Sequence, residues 1–278
     1  MSRFFYFYQT MKQKDFSIGI FDSGVGGTSI WKEINQLLPM ESTLYLSDSK
    51  HAPYGIKSKE EIIALAIKNT EHLLNKNCKI IVVACNTATT NAIAYLRAHY
   101  DVPFIGIEPA IKPAALQTKT NTIGILATKG TLNSALFEKT SQKLNSKIQI
   151  IEQIGAGLVA LIENGKLESE EMTHLLQSYL EPMISEQIDC LVLGCTHYPY
   201  LIPQIRKILG SKIHIIDSGQ AVAKQTKKIL SEANLLKKVE DTSKRSHLFL
   251  INSNKSTLTK LLADCENKKS LLILERDF

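Results

Sequence analysis

An internal repeat narrows the possible folds of this chain more than any single motif does. Ser17-Ile-Gly-Ile-Phe-Asp22 has a counterpart 105 residues on, in Thr122-Ile-Gly-Ile-Leu-Ala127. Ile80-Ile-Val-Val-Ala-Cys85 is matched by Asp189-Cys-Leu-Val-Leu-Gly-Cys195, with the cysteines 110 residues apart. Pro103-Phe-Ile-Gly-Ile-Glu108 is matched by Lys212-Ile-His-Ile-Ile-Asp217 at an offset of 109. Three apolar runs recurring in one order at nearly one spacing divide the 278 residues into two similar units.

Each run has the length and composition of a buried strand. Strands are expected at Ser17–Asp22, Thr43–Ser47, Lys79–Ala84, Phe104–Ile107, Thr122–Leu126, Ile148–Ile151, Cys190–Gly194 and Ile213–Asp217. Helical patterns fill the intervals. The clearest starts at Ser58, where Ser58 and Glu61 have capping-box spacing, and its apolar face carries Ile62, Ile63, Ala66, Ile67, Leu73 and Leu74. Strands alternating with helices predict an α/β protein whose parallel sheets are covered on both faces. We expect two pseudo-symmetric α/β domains with the active site in the cleft between them. The first comprises 17–109 plus 219–278, the second 110–218, and 1–16 is a loose N-terminal extension carrying the aromatic cluster Phe4–Tyr8. Ligands of open parallel sheets bind beyond the carboxyl ends of the strands, where Asp22, Cys85 and Cys195 all fall.

Composition removes several classes of function. No run approaches the roughly 18 apolar residues of a membrane span, and the start is too short for a signal-peptide core, so a cytoplasmic protein is expected. The five cysteines are odd in number, include no C-x-x-C, and have no zinc-like spacing with histidine. They read as reduced thiols without a metal, and Cys78, Cys190 and Cys265 as small buried apolar residues. The net charge of +6 comes from scattered lysines. Its densest clusters, Lys224–Lys228 and Lys237–Lys238, fall where helices would expose them to solvent, which argues against a nucleic-acid surface. Such a field would still attract a dianionic substrate.

Four segments carry chemistry. In Asp22-Ser-Gly-Val-Gly-Gly27 the glycines would let backbone N–H groups approach an anion at a helix start, or simply make a tight turn. The spacing lacks G-x-G-x-x-G, so no dinucleotide site is expected. Asp22 could orient a neighbouring acid or bind an ammonium. The loop Asp48-Ser-Lys-His-Ala-Pro-Tyr-Gly55 is either plain surface or a substrate-closing segment offering the N–H groups of Tyr54 and Gly55. Cys85-Asn86-Thr87 and Cys195-Thr196-His197 each place a thiol at a strand end, with polar groups at the following helix start. An unperturbed cysteine is only about 3% thiolate at neutral pH. Helix N-termini and hydrogen-bond donors raise that fraction. His197 is placed to support Cys195, and Asp22 to support Cys85.

Phe-Asp22-Ser-Gly-Val-Gly-Gly, Pro53-Tyr-Gly55, Ala84-Cys-Asn-Thr87 and Gly194-Cys-Thr-His197, in this order, resemble glutamate racemases from about Ser17 to the C-terminal region. The resemblance implies interconversion of L- and D-glutamate without pyridoxal phosphate or any other cofactor, supplying D-glutamate for peptidoglycan. It implies Cys85 and Cys195 as the two acid/base residues, with Cys195 the base toward L-glutamate and Asp22 and His197 as helpers. A further acid falls at Glu163 or at Glu152. Implied substrate contacts are Asp22, Ser23, Tyr54, Gly55, Asn86, Thr87, Thr196 and His197. Glutamate would be the partner, with neither membrane nor nucleic acid involved; a homo-oligomer is compatible. The alternatives are an aspartate or hydantoin racemase of the same superfamily, and a regulatory binding protein on the same fold, indifferent to both cysteines.

Overall fold

The computed structural model describes residues 13–144, 147–237, 245–265 and 270–278. All eight expected strands form. β1 (Ile18–Asp22), β2 (Thr43–Ser47), β3 (Ile80–Val83) and β4 (Phe104–Gly106) lie in one sheet. β5 (Thr122–Ala127), β6 (Gln149–Ile154), β7 (Cys190–Gly194) and β8 (His214–Ile216) lie in the other. Every pairing is parallel. The order β2-β1-β3-β4 in one sheet repeats as β6-β5-β7-β8 in the other, so the sequence repeat is a topological repeat. Two strands escape the sequence pattern. β9 (His247–Ile251) pairs with β2, and β10 (Leu271–Glu275) pairs with β9, extending the first sheet to six strands.

Local chemistry accounts for the elements. All four residues of β3 are buried, as a strand covered on both faces requires. The helix Lys59–Leu74 starts at Ser58, whose hydroxyl accepts from Glu61 N at 3.2 Å while the Glu61 carboxylate accepts from Ser58 N at 2.8 Å. That reciprocal cap satisfies two donors that a helix start otherwise leaves free. Ile62, Ala66 and Leu73 are buried beneath the helix, with Ile63, Ile67 and Leu74 packed at the margin. The largest apolar cluster crosses between the halves, joining Ile18, Val25 and Trp31 to Leu126, Ile162, Leu193 and Tyr198. Each fully buried aliphatic side chain contributes about 1.5–3 kcal/mol. The halves are therefore held against each other by core, with the carboxyl ends of their strands facing.

At the opposite end of the first sheet a buried ion pair corrects the expectation for Lys237. Lys79 Nζ lies 2.6 Å from Glu41 Oε2 and also donates to the Lys14 and Leu235 carbonyls. Lys237 N donates to Glu41 Oε1 at 2.8 Å. Of the N-terminal extension, the Lys14 carbonyl accepts the bond from Lys79, and Phe4–Tyr8 lies outside the described residues. Lys237 is buried in a loop, not displayed on a helix, because its backbone completes the glutamate's hydrogen bonds. Lys238 lies outside the described residues. Lys224, Lys227 and Lys228 do stand exposed on the helix Gly219–Glu232. Cys78 and Cys190 are buried, whereas Cys265 is only half-buried.

Candidate active site

A narrow cleft opens between the two sets of strand ends. Its walls include Ser23 after β1, Tyr54 and Gly55 from the loop after β2, and Cys85, Asn86 and Thr87 after β3. The other half contributes Thr128 after β5, Val159, and Cys195, Thr196 and His197 after β7. Both cysteines are free and meet at this one space.

The Cys85 corner is built on a helix start. Cys85 occupies the N-cap of the helix Asn86–His99, its sulfur accepting from Ala88 N at 3.4 Å and its thiol directed at Ser23 Oγ, 3.6 Å away. Burial and then the charge of Asp22 hold this thiol well above its ordinary range; the Ala88 N–H and the Ser23 hydroxyl offset only part of that. Asp22 itself is fully buried. Its carboxylate accepts from Gly27 N at 2.8 Å, Gly24 N at 3.3 Å, and the hydroxyls of Ser23 and Thr196 at 3.4 Å. Burial pushes its pKa up to about 6, against the pull of His197 and the Gly27 N–H, with Glu163 adding to the rise.

The Cys195 corner is built on an imidazole. His197 Nδ1 lies 3.7 Å from the Cys195 sulfur, and Nε2 lies 2.6 Å from Glu163 Oε1. Burial alone would lower the histidine pKa, but its hydrogen bonds to Cys195 and Glu163, with their charges, leave it well above the ordinary value. Glu163 also receives Val25 N at 2.7 Å on Oε1 and Ser49 Oγ at 2.9 Å on Oε2, both from the first half. Glu152, the competing position, is exposed on β6 at the edge of the second sheet.

The glycine loop does not hold a free anion. Its N–H groups at Gly24, Val25 and Gly27 are occupied by Asp22 and Glu163. The glycines serve close approach: a Cβ on Gly24 would sit 1.8 Å from Glu163 Oε1, and one on Gly26 would sit 2.3 Å from His197 Nδ1. Of the expected site residues, Asp22 and Glu163 stand behind the cavity wall, while the other nine line it. The Tyr54 ring turns into the core, its hydroxyl donating to Asp48 Oδ2 and receiving Asn69 Nδ2. Asn86 is buried at the wall, and both polar atoms of its side chain lack a protein partner. Buried amides left this way carry a cost unless a ligand meets them.

Sequence reasoning missed Thr128 and Val159. Thr128 was within reach, because the offset that maps Ser17 onto Thr122 also maps Ser23 onto Thr128. The Thr128 hydroxyl lies 2.8 Å from Thr87 Oγ1, across the cleft. Among the described residues no group of three or more His, Cys, Asp or Glu side chains could hold a metal ion. No described helix is long and apolar enough to cross a membrane.

The comparisons with known proteins agree with this geometry. The Asp/Glu/hydantoin racemase family model matches residues 18–226. The chain is 47% identical to a glutamate racemase of Ectopseudomonas mendocina over 227 residues, 81% of this chain and 86% of that protein. Among solved structures it matches a glutamate racemase isoform from Bacillus anthracis with a TM-score of 0.82 and 32% identity, covering 95% of this chain and 98% of that one. It matches the Francisella tularensis glutamate racemase, solved in complex with D-glutamate, with a TM-score of 0.81 and 28% identity, covering 95% and 98%. The chain belongs to the Asp/Glu/hydantoin racemase family, among its glutamate racemases.

Proposed function

We propose that the protein interconverts L- and D-glutamate by a two-base mechanism that uses Cys85 and Cys195 and needs no cofactor. The observation that carries this reading is the pair of free thiols on one buried cavity, each with a different charged partner. In the L-to-D direction Cys195 acts as the thiolate, with the His197 imidazolium donating Nδ1–H to its sulfur. It takes the α-hydrogen as a proton, and the electron pair left on Cα delocalises into the α-carboxylate. Cys85, held as the thiol, delivers its proton to the opposite face. The product is D-glutamate, with Cys195 now the thiol and Cys85 the thiolate, and the reverse reaction starts from that state. Two fixed groups avoid the motion a single base would need to serve both faces.

The unpartnered Asn86 amide, with Thr87, Thr128 and Thr196, is suited to hold the substrate carboxylates; donors placed where charge develops lower the barrier most. Ser23 and the backbone of Tyr54 and Gly55 complete the wall. Asp22 acts from behind it, as a neighbour of Cys85 and an acceptor from Thr196, and Glu163 acts through His197. The same reading assigns 17–109 with 219–278 to one domain and 110–218 to the other. It places the enzyme in the cytoplasm, making D-glutamate for peptidoglycan.

Incubation with L-glutamate in deuterated water tests the scheme. D-product formed early carries deuterium almost completely, while recovered L-glutamate stays largely protiated. Replacing either Cys85 or Cys195 by Ala abolishes inversion measured by circular dichroism, and L-aspartate is not inverted by the native protein. Near-normal racemisation by Cys85→Ala would sink the mechanism.

A further inference from the structure

We propose that Ser49 is a positioning residue for proton transfer at Cys195, fixing the Glu163 carboxylate when the cleft is closed and so holding His197 against the Cys195 sulfur. The inference rests on the two-thiol reading above. Glu163 ends the helix Leu158–Glu163 in the second half of the molecule, beside His197 of the same half. Its other two donors, Val25 N and Ser49 Oγ, come from the first half. The carboxylate is therefore fully provided with protein donors only when the halves meet.

Closing a cleft removes water, and a buried carboxylate oxygen without a donor is costly. Ser49 Oγ supplies a protein donor to Oε2 at 2.9 Å, so that oxygen is not left bare when water is excluded. The single hydroxyl hydrogen of Ser49 goes to Glu163, so the 3.0 Å contact between the Ser47 and Ser49 hydroxyls has Ser47 as donor. Ser47 ends β2 opposite Asp22 of β1, so this chain of hydroxyls starts from the strand neighbouring the one that bears the Cys85 helper. The turn that carries Ser49 is pinned on each side. Asp48 N donates to the Asp22 carbonyl at 3.1 Å, Lys50 N to Asn252 Oδ1 at 2.8 Å, and His51 N to the Asp48 carbonyl at 3.0 Å. Ser49 is buried, is absent from the cavity wall, and acts only through Glu163.

Without the hydroxyl, Glu163 loses the donor that fixes Oε2, and the carboxylate no longer holds His197 firmly against the Cys195 sulfur, where it stabilises thiolate. The test measures kcat and KM in both directions for the full chain, with primary isotope effects on α-deuterated L- and D-glutamate. Ser49→Ala lowers kcat/KM about 10- to 100-fold, the loss expected for a hydrogen bond to a charged group. Both directions fall equally, because the equilibrium constant between mirror-image substrates is one. The isotope effects separate: that on L-glutamate, whose hydrogen Cys195 removes, rises, while that on D-glutamate falls toward unity. Ser49→Thr restores the hydroxyl and the native pattern. Should Ser49→Ala unfold, Ser49→Cys, similar in shape but a weaker donor, reads the same asymmetry. Isotope effects that stay as in the native protein, or shift alike for both substrates, overturn the proposal. Racemisation surviving in Cys195→Ala would instead remove the reading on which it rests.

Discussion

At Cys85 a thiol caps a helix and faces a buried carboxylate, whereas at Cys195 a thiol meets an imidazole held by a second carboxylate. The backbone plan of the two corners is the same: strand end, cysteine, start of helix or helical turn, in sheets of identical order. The charges differ. Asp22 and burial favour the neutral form of Cys85, while His197 offers a positive charge to Cys195. Racemisation needs two proton carriers on opposite faces, and a repeated fold supplies them. It also needs them to be in opposite protonation states, and departures from the repeat supply that. The two corners are joined by cross-cleft bonds, Thr196 to Asp22 and Val25 to Glu163.

The sharpest way to break the comparison is to make the corners electrostatically alike. His197→Asn keeps a polar side chain but removes the cation beside Cys195. We expect kcat to fall about 10²- to 10³-fold, the scale of a lost acid/base helper. Iodoacetamide at neutral pH should alkylate Cys195 ahead of Cys85 in the native protein, read by peptide mass. In His197→Asn that preference should vanish. Preferential labelling of Cys85 in the native protein would reverse the assignment of resting states.

Much of this arrangement is legible in the sequence, for a physical reason. Short buried strands have to be nearly all apolar, so the runs ending at Asp22, Cys85 and Cys195 are visible without tertiary information, and so is their repetition. β9 was not visible because its partner β2 lies some 200 residues earlier and nothing local announces the pairing, and β10 joins the sheet only through β9. Choosing between Glu163 and Glu152 required knowing which carboxylate turns inward. Periodicity cannot tell, since both follow apolar neighbours. The glycine loop was misread in part because its N–H groups are used by the protein's own carboxylates. Asp22 was expected at the substrate, but its position at the end of a strand buried on both faces puts Ser23 in front of it.

That burial gives a second test, on the Cys85 side. The Asp22 pKa is raised to about 6 from an ordinary 3.8, because leaving water disfavours the charged form. A carboxyl raised in the folded state binds protons that the unfolded chain has released. Folding stability from this group is therefore greatest below about 3.8 and is lost as pH rises through about 6. A shift of roughly two units corresponds to about 3 kcal/mol of destabilisation at neutral pH. Asp22→Asn keeps an acceptor for Gly27 N without the charge. Its urea midpoint should exceed the native one at pH 8, with the gain shrinking toward pH 4, while racemisation drops. A variant no more stable than the native protein at pH 8 would show that the charge is compensated by neighbours more fully than its burial suggests.

The smallest expected effect asks whether the C-terminal segment, outside the residues matched by the family model, belongs to the Cys195 corner. Thr257 lies in the helix Lys255–Leu261, and its hydroxyl donates to the Glu163 carbonyl at 3.0 Å. No other side chain from that helix is seen to bond Glu163. The contact fixes the end of the helix that aims the carboxylate at His197. Thr257→Val keeps the shape and removes one neutral hydrogen bond, which contributes about 1 kcal/mol. The unfolding free energy read from the denaturation curve should fall by that amount, and kcat/KM by a few-fold in both directions. If the segment only props the fold, isotope effects on L- and D-glutamate remain as in the native protein. If it aims Glu163, they separate in the same sense as in Ser49→Ala, only more weakly, because the carboxylate keeps all its donors and loses only its exact direction. That outcome would extend the Cys195 corner to a strand and helix that no motif of the family marks.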